Sequence, residues 1–299
     1  MKTLLKNLNI FAIGYYMYKE CILYNWWHQG DLFHSREFVK ALMKIIPAEK
    51  FSYAHRNNPR TFIDIPNLGY TQVTEKMRTD TSYLEEDNIL YINTHNIGKY
   101  LCTVDSYYIM YNMILEKLGL GSLPGTELDY IPDIDYTKFE IAGVNEFMSV
   151  YPNHDKVLIC NGDVQSGQMT NFSFATPVQI LAKRYPTTLF LITSPTIGRT
   201  LNILYTGDIT KTSDGFDIYE ISFLSTFCRV LVGRYSGPHT CSQVKQNWFD
   251  PTKRLVTFTH GEYGNTTITN PNVAMKKFWS PSSKDGVVIA LISQAMESR

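Results

Sequence analysis

The sequence predicts an α/β protein of two domains, each a mainly parallel sheet with crossover helices. Three observations carry that prediction. Short apolar runs alternate with helix-spaced segments in the first half, the same alternation restarts in the second, and a stretch rich in Gly, Pro and Asp, GLGSLPGTELDYIPDIDY, lies between them. At 299 residues, with 44% hydrophobic and 19% charged side chains, the chain is long enough for two ordinary domains and apolar enough to bury a core in each.

The first half opens with CILYNWW (Cys21 to Trp27), a strand by its continuous apolar run, then a loop, His28-Gln29-Gly30-Asp31. SREFVKALMKIIP follows, with Phe38, Val39, Leu42, Ile45 and Ile46 on one helical face before Pro47. Read locally, Gly30 gives the turn its backbone freedom and Asp31 caps the helix. FSYAHRN and ILYINTH (Ile89 to His95) are further strands that end in polar residues suited to a cleft. VDSYYIMYNMILEKLGLG is a long helix closed by Gly119 or Gly121. The Gly-Pro-Asp stretch is the expected linker, dividing an N-terminal domain, 1–128, from a C-terminal one, 129–299.

In the second half TKFEIAGVNEFMSVYP reads as helical and KVLICNGDVQSGQ as a strand, Val157 to Cys160, running into a polar, Gly-containing loop. TPVQILAKRYP is a helix, TLFLITS a buried strand, and GFDIYEISFLSTF a helix by the spacing of Ile218, Ile221, Phe223, Leu224 and Phe227. RVLVG and LVTFTHG are strands, and SKDGVVIALISQAM is the last helix. In open parallel sheets ligands sit beyond the carboxyl ends of the strands. The loops after residues 27, 160, 193, 233 and 259 are therefore expected to converge, giving two Rossmann-like domains with mainly parallel sheets facing a central cleft.

Charge narrows the partners only by exclusion. Twenty-eight basic residues balance 28 acidic ones, so no global field favours nucleic acid or an anionic membrane. No window reaches the roughly 20 consecutive apolar residues of a membrane span. The opening MKTLLKNLNIFAIGYYMYKE starts basic, but Asn and Lys interrupt its apolar run and no small-residue cleavage site follows, which argues against a signal peptide. Cysteines 21, 102, 160, 228 and 241 are odd in number and form no CxxC pair. Reduced thiols in a cytoplasmic protein are the simplest expectation.

The common catalytic signatures are missing. There is no P-loop, no GxSxG, no HExxH, and no GxGxxG after a strand. DID at Asp133 to Asp135 has the letters of a metal-binding DxD but falls in the linker rather than after a buried strand. His28 and His34 lack a partnering acid or histidine at ligand spacing, so no metal is expected. His95 and Lys99 in YINTHNIGKY face an acceptor site or simply end a strand. His55, Arg56 and Arg60 in FSYAHRNNPR suit an anionic acceptor or an ordinary solvated surface.

One stretch is more informative. EISFLSTFCRVLVGRYSGPHT joins a helix to a strand, then places Gly233, Ser236, Gly237 and Pro238 where the chain must turn and start another helix. Free backbone N–H groups and a helix dipole at such a point suit a diphosphate, with Arg234 and His239 as added donors; an ordinary Gly-Pro turn is the other reading. The order of an acidic residue, EISFLSTFCRVLVG, then SGP and His resembles the nucleotide-sugar-binding segment of the heptosyltransferase-like glycosyltransferases, the family of the ADP-heptose:lipopolysaccharide heptosyltransferases. That family commonly has an aspartate before SGP; here Arg234-Tyr235 stand in those positions. LYNWWHQGDLFHSREFVKALMKIIP matches the family's opening layout of strand, Gly-Asp loop and helix ending at Pro.

The resemblance implies a GT-B fold and transfer of a sugar from a nucleotide-sugar donor to a glycan, glycolipid or glycoprotein acceptor, inverting and without a metal or other cofactor. It makes Asp31 the catalytic base. Asn161, Gly162, Ser166 and Gln168 then become donor ligands, with Glu220 on the ribose and Gly233, Arg234, Ser236, Gly237, Pro238 and His239 around the diphosphate. Trp27, His28, His55, Arg56 and His95 are the acceptor-side candidates, nucleic acid is not a partner, and peripheral membrane association is compatible with such acceptors. Two rivals share the architecture: a nucleotide-sugar epimerase or hydrolase, and a non-catalytic nucleotide-sugar-binding protein whose altered GRYSGP has cost it turnover.

Overall fold

The computed structural model describes residues 17–78, 81–95, 104–165, 167, 169–260 and 272–298. The first half contains β1 (Glu20–Asn25), α1 (Gln29–Ile45), β2 (Phe51–His55), β3 (Leu68–Thr71), β4 (Tyr83–Glu86), β5 (Ile89–Asn93) and α2 (Val104–Lys117). Its sheet has the order β3-β2-β1-β5-β4, parallel except for the β4–β5 pair. That exception is a two-residue hairpin. Asp87 and Asn88 both take left-handed backbone, φ 51 and 61, as a tight turn with the strands' own twist requires.

The second half contains α3 (Ala142–Val150), β6 (Lys156–Cys160), α4 (Ala175–Arg184), β7 (Leu189–Ile192), β8 (Ile203–Tyr205), α5 (Thr206–Thr210), α6 (Ile218–Ser225), β9 (Val230–Arg234), α7 (Gly237–Cys241), α8 (Lys245–Trp248), β10 (Arg254–Phe258), β11 (Lys276–Ser280) and α9 (Asp285–Glu297). All its pairings are parallel, in the order β11-β10-β9-β6-β7-β8. This is the doubly wound order, whose direction reverses between β6 and β9. The central strands β1, β6, β9 and β10 are covered on both faces, which is why each reads as a nearly unbroken apolar run.

Four expectations need correction. β1 stops at Asn25, so Trp26 and Trp27 lie beyond it. α1 starts at Gln29, which puts Gly30 and Asp31 inside its first turn rather than in a loop. α3 takes only Ala142–Val150 of the segment read as helical, after a short 3-10 turn at Tyr136–Lys138. Strands β3, β4, β8 and β11 were not anticipated; all four are sheet edges, where one-sided burial leaves no continuous apolar run, and β8 has only three residues.

α2 ends as its glycine predicts. Gly119 is left-handed, φ 67, and donates to Glu116 O while Leu120 donates to Leu115 O, closing a Schellman motif. The Gly-Pro-Asp stretch is packed rather than loose: Tyr130 stacks on Phe38 of α1, ring centroids 4.5 Å apart and 4° from parallel, and Ile131 is fully buried. One contiguous hydrophobic cluster joins Leu23 and Phe38 of the first half to Leu231 and Trp248 of the second.

Candidate functional site

Both sheets bring their carboxyl ends to one pocket of about 310 Å³. From the first half it is lined by the start of α1, His28 to Asp31 with His34, and from the second by Gly162 to Gln165 after β6 and Tyr235 to Pro238 after β9. The loops after β6 and β9 flank the reversal of strand order, where an open α/β sheet leaves a crevice. The loop after residue 193 does not line this pocket, contrary to expectation, and most of the loop after 259 lies outside the described residues. Asn57, after β2, does.

The β1–α1 junction explains how Asp31 reaches the pocket. Asn25 Oδ1 accepts the Trp27 N–H at 2.8 Å, turning the chain out of the sheet, and His28 is extended before the helix starts. The Asp31 carboxylate accepts the His28 N–H at 3.2 Å. His28, not Asp31, is the N-cap; Asp31 is the third helical residue and closes a capping box on it with one oxygen, and Oδ1 has no hydrogen-bond partner among the described residues. Across the pocket Gly30 approaches α7 closely, since a Cβ added to it would sit 3.5 Å from Thr240 Cγ2.

On the other wall the glycine of RVLVG has a steric reason. A Cβ at Gly233 would meet His239 Cβ at 2.8 Å and Cys160 Cβ at 2.9 Å, so only glycine lets α7 fold back against the sheet. Ser236 is extended, Pro238 occupies the first helical turn where its missing N–H costs nothing, and Ser236 Oγ is buried without a partner among the described residues. His239 is turned the other way. It is fully buried behind Gly233, outside the pocket lining, and burial pulls its pKa down to about 4.

Arg234 also departs from expectation. Its guanidinium is buried and donates to the main-chain carbonyls of Asn161 at 2.7 Å, Gly162 at 2.6 Å and Phe172 at 2.5 Å, and to Asp163 at 3.0 Å. It lies over the Phe172 and Phe174 rings. Burial lowers its pKa and the Asp163 carboxylate opposes that shift. The residue standing near the family's aspartate thus braces the loop after β6 instead of facing the pocket. Asn161 is committed too: its side chain donates to Ser194 O at 2.8 Å and Thr196 Oγ1 at 3.0 Å and accepts the Ser194 N–H at 2.8 Å. Gly162 does line the pocket. Ser166 and Gln168 lie outside the described residues.

Glu220 does not face the pocket. Its buried carboxylate accepts from Arg60 at 2.6 Å and from the Glu140 N–H at 3.0 Å. Burial raises its pKa, and those hydrogen bonds with the Arg60 charge counter the rise. Arg60 is therefore a clamp between halves, helped by buried Arg36, which pairs with Asp64 and donates to Thr61 O and to the Tyr219 hydroxyl of α6.

Beside the pocket, Trp27 is 44% exposed and stacks on His95 with centroids 5.0 Å apart and planes 29° from parallel. His28 meets the edge of Trp27 at 6.3 Å. Burial lowers the His95 pKa, with Asp31 pulling the other way. His55 is not on this shelf: it is buried beside Tyr70 and Phe62, its pKa lowered to about 4 by burial, and Arg56 is simply exposed. Sequence reading also passed over Gln29, Gln165 and Thr240, and considered His34 only as a metal ligand. For His34 a signal existed, its i+3 spacing from Asp31 on one helix face.

Among the described residues the pocket lining holds the carboxylates Asp31 and Asp163 and no Lys or Arg. No group of three or more His, Cys, Asp or Glu among the described residues could hold a metal ion. Cys21, Cys160, Cys228 and Cys241 are free and buried; Cys102 lies outside the described residues, as does the segment 1–16 that bears on a signal peptide. No helix among the described residues is long and apolar enough to cross a membrane.

No protein-family model and no curated protein matches the chain. Solved structures do. The crystal structure of a glycosyl transferase of family 9 from Veillonella parvula DSM 2008 superposes with a TM-score of 0.54 at 12% identity, covering 94% of this chain and 98% of its own. Two E. coli structures overlap more loosely and bear no weight here: heptosyltransferase WaaC with ADP, TM-score 0.48 at 12% identity, and ADP-heptose LPS heptosyltransferase II, 0.49 at 9%, each covering 93% of this chain and 98% of its own. Two mainly parallel sheets, in this order and with this connectivity, give the chain the GT-B fold seen in the family 9 glycosyltransferase structure.

Proposed function

We propose that the chain is a glycosyltransferase that moves a sugar from a nucleotide-sugar donor to a glycan or related acceptor, with inversion and without a metal. One observation supports this above the others: Asp31 and the Ser236-Gly237 turn line the same pocket from opposite halves of the molecule. In the reaction the acceptor oxygen attacks the anomeric carbon, the bond to the diphosphate breaks, and Asp31 takes the acceptor's proton. One carboxylate and polar groups for the leaving diphosphate suffice, because no covalent intermediate is needed.

The nucleotide diphosphate would lie along Gly162 and the Ser236 to Pro238 turn, and the acceptor against the Trp27–His95 shelf, where an aromatic face suits a sugar ring. Buried free thiols fit a reducing compartment, and we place the reaction in the cytoplasm. The test is a thermal-shift screen with nucleoside diphosphates and nucleotide sugars, since a ligand that binds only the native state raises Tm. A nucleotide sugar that stabilises the chain and is consumed only when acceptor is present supports the reading. Failure of every nucleotide sugar overturns it.

A second reading draws on the pocket's charge. With Asp31 and Asp163 in the wall and no Lys or Arg among its described residues, the site is poor in the cations that usually neutralise a leaving diphosphate. That favours a nucleotide-sugar-binding protein without turnover, recognised by stabilisation without donor consumption across an acceptor panel.

A further inference from the structure

The pocket wall contains a side chain that the reaction above does not use. His34 follows Asp31 by three residues on α1, so the two share a helix face, and both line the pocket. His34 is 2% exposed, with its ring against Phe33 at 5.8 Å and Tyr107 at 6.4 Å. Neither Nδ1 nor Nε2 has a hydrogen-bond partner among the described residues.

Roughly nine in ten or more buried polar groups are paired, so a pocket-wall imidazole with both nitrogens buried and unpaired is a group that a ligand could satisfy. Burial lowers its pKa to about 3, which keeps the ring neutral near pH 7. A neutral imidazole offers one N–H donor and one acceptor lone pair. The Asp31 carboxylate in the same wall has one oxygen free to accept from a donor. Phosphate oxygens can accept from the imidazole N–H but leave its lone pair and the Asp31 carboxylate without a donor. Hydroxyls, which both donate and accept, match all of them.

We propose that His34 contacts the substrate directly, hydrogen-bonding a hydroxyl of the donor's sugar, and so helps decide which sugar the pocket accepts. The proposal rests on the nucleotide-sugar reading, and its test separates the two. Affinities of the full chain are compared for UDP, ADP and GDP and for UDP-glucose, ADP-glucose and GDP-mannose. For the nucleotide sugar that binds, His34→Leu is expected to weaken affinity about tenfold while leaving the matching nucleoside diphosphate within about twofold. His34→Gln, which keeps a donor and an acceptor, is expected to recover most of that loss. Equal weakening of diphosphate and nucleotide sugar, or no weakening of either, overturns the sugar contact.

If no nucleotide or nucleotide sugar binds the unaltered chain, the donor reading falls. His34 is then decided by its own imidazole nitrogen resonances in the labelled chain, titrated with free glucose, mannose and galactose and separately with inorganic phosphate. Movement with a sugar but not with phosphate upholds the hydroxyl contact. Movement with phosphate alone, or with none of these probes, overturns it.

Discussion

Arg60, on the turn after β2, donates to the buried carboxylate of Glu220 on α6 at 2.6 Å, joining the two halves of the chain. The same guanidinium meets Asp214 at 2.9 Å and Glu140 at 3.4 Å. Removing Arg60 leaves a fully buried carboxylate held by backbone N–H groups without its cation. Arg60→Met is expected to lower stability by about 3 kcal/mol in urea denaturation, and Glu220→Gln by less, because its amide oxygen can still accept from both donors. A loss below about 0.5 kcal/mol for Arg60→Met would show that the pair does not hold the halves together.

Two glycines at the pocket should respond in opposite ways. Gly233→Ala drives a methyl against His239 Cβ and Cys160 Cβ, both under 3.0 Å away, and is expected to cost about 2 kcal/mol or more. Gly30→Ala meets Thr240 at an ordinary 3.5 Å within a helix, where alanine is the better residue, and is expected to be neutral or slightly stabilising. Thermal melts of the two variants decide between steric need and mere habit.

Asp31 both closes the capping box of α1 and is proposed as the base, and one substitution separates these roles. Asp31→Asn keeps an oxygen for the His28 N–H, so Tm should stay within about 2 °C. It cannot take a proton at pH 7, and transfer should fall by about 10² to 10⁴-fold. Full activity in this variant would remove Asp31 from the chemistry.

Arg234→Met withdraws the donors that hold the carbonyls of Asn161, Gly162 and Phe172. Hydrogen exchange in a peptide spanning 161–165 should speed up at least about tenfold, with β6 itself unchanged, because opening is local where the supporting bonds are lost. Unaltered exchange would mean that the loop stands without its arginine.

Three buried histidines set an acid limit. His34 is held to a pKa of about 3, and His55 and His239 to about 4, against an ordinary 6.5, in each case mainly by burial. Between those values the unfolded chain binds more protons than the native one. Their contribution is therefore complete above about pH 6.5 and is lost as pH falls toward 4, at up to about 1.4 kcal/mol per pH unit for each histidine. Glu220, whose pKa burial raises, gives the opposite trend above its ordinary 4.5. His34→Leu should flatten the fall in stability between pH 6 and 4.5 by about one proton's worth; an unchanged slope would show that the ring is not held neutral.

The sequence by itself determined the alternation of strands and helices, the two halves, the GT-B expectation, and the placing of Asp31 and the Ser236-Gly237 turn at one site. The alternation follows from local causes, apolar runs of strand length, helical spacing and glycines required by turns, whereas the GT-B expectation and the pairing of Asp31 with that turn follow from the resemblance to the heptosyltransferase-like family. Tertiary structure alone decided what Arg234, Glu220 and His239 do. Each sits where its neighbours in sequence predict a ligand, and each instead meets partners far along the chain or hides behind the sheet, Arg234 on carbonyls 62 to 73 residues away and Glu220 on Arg60, 160 residues away. A charged group leaves water only where its partners are already gathered, and that gathering depends on strand order and register, which no local pattern of residues encodes.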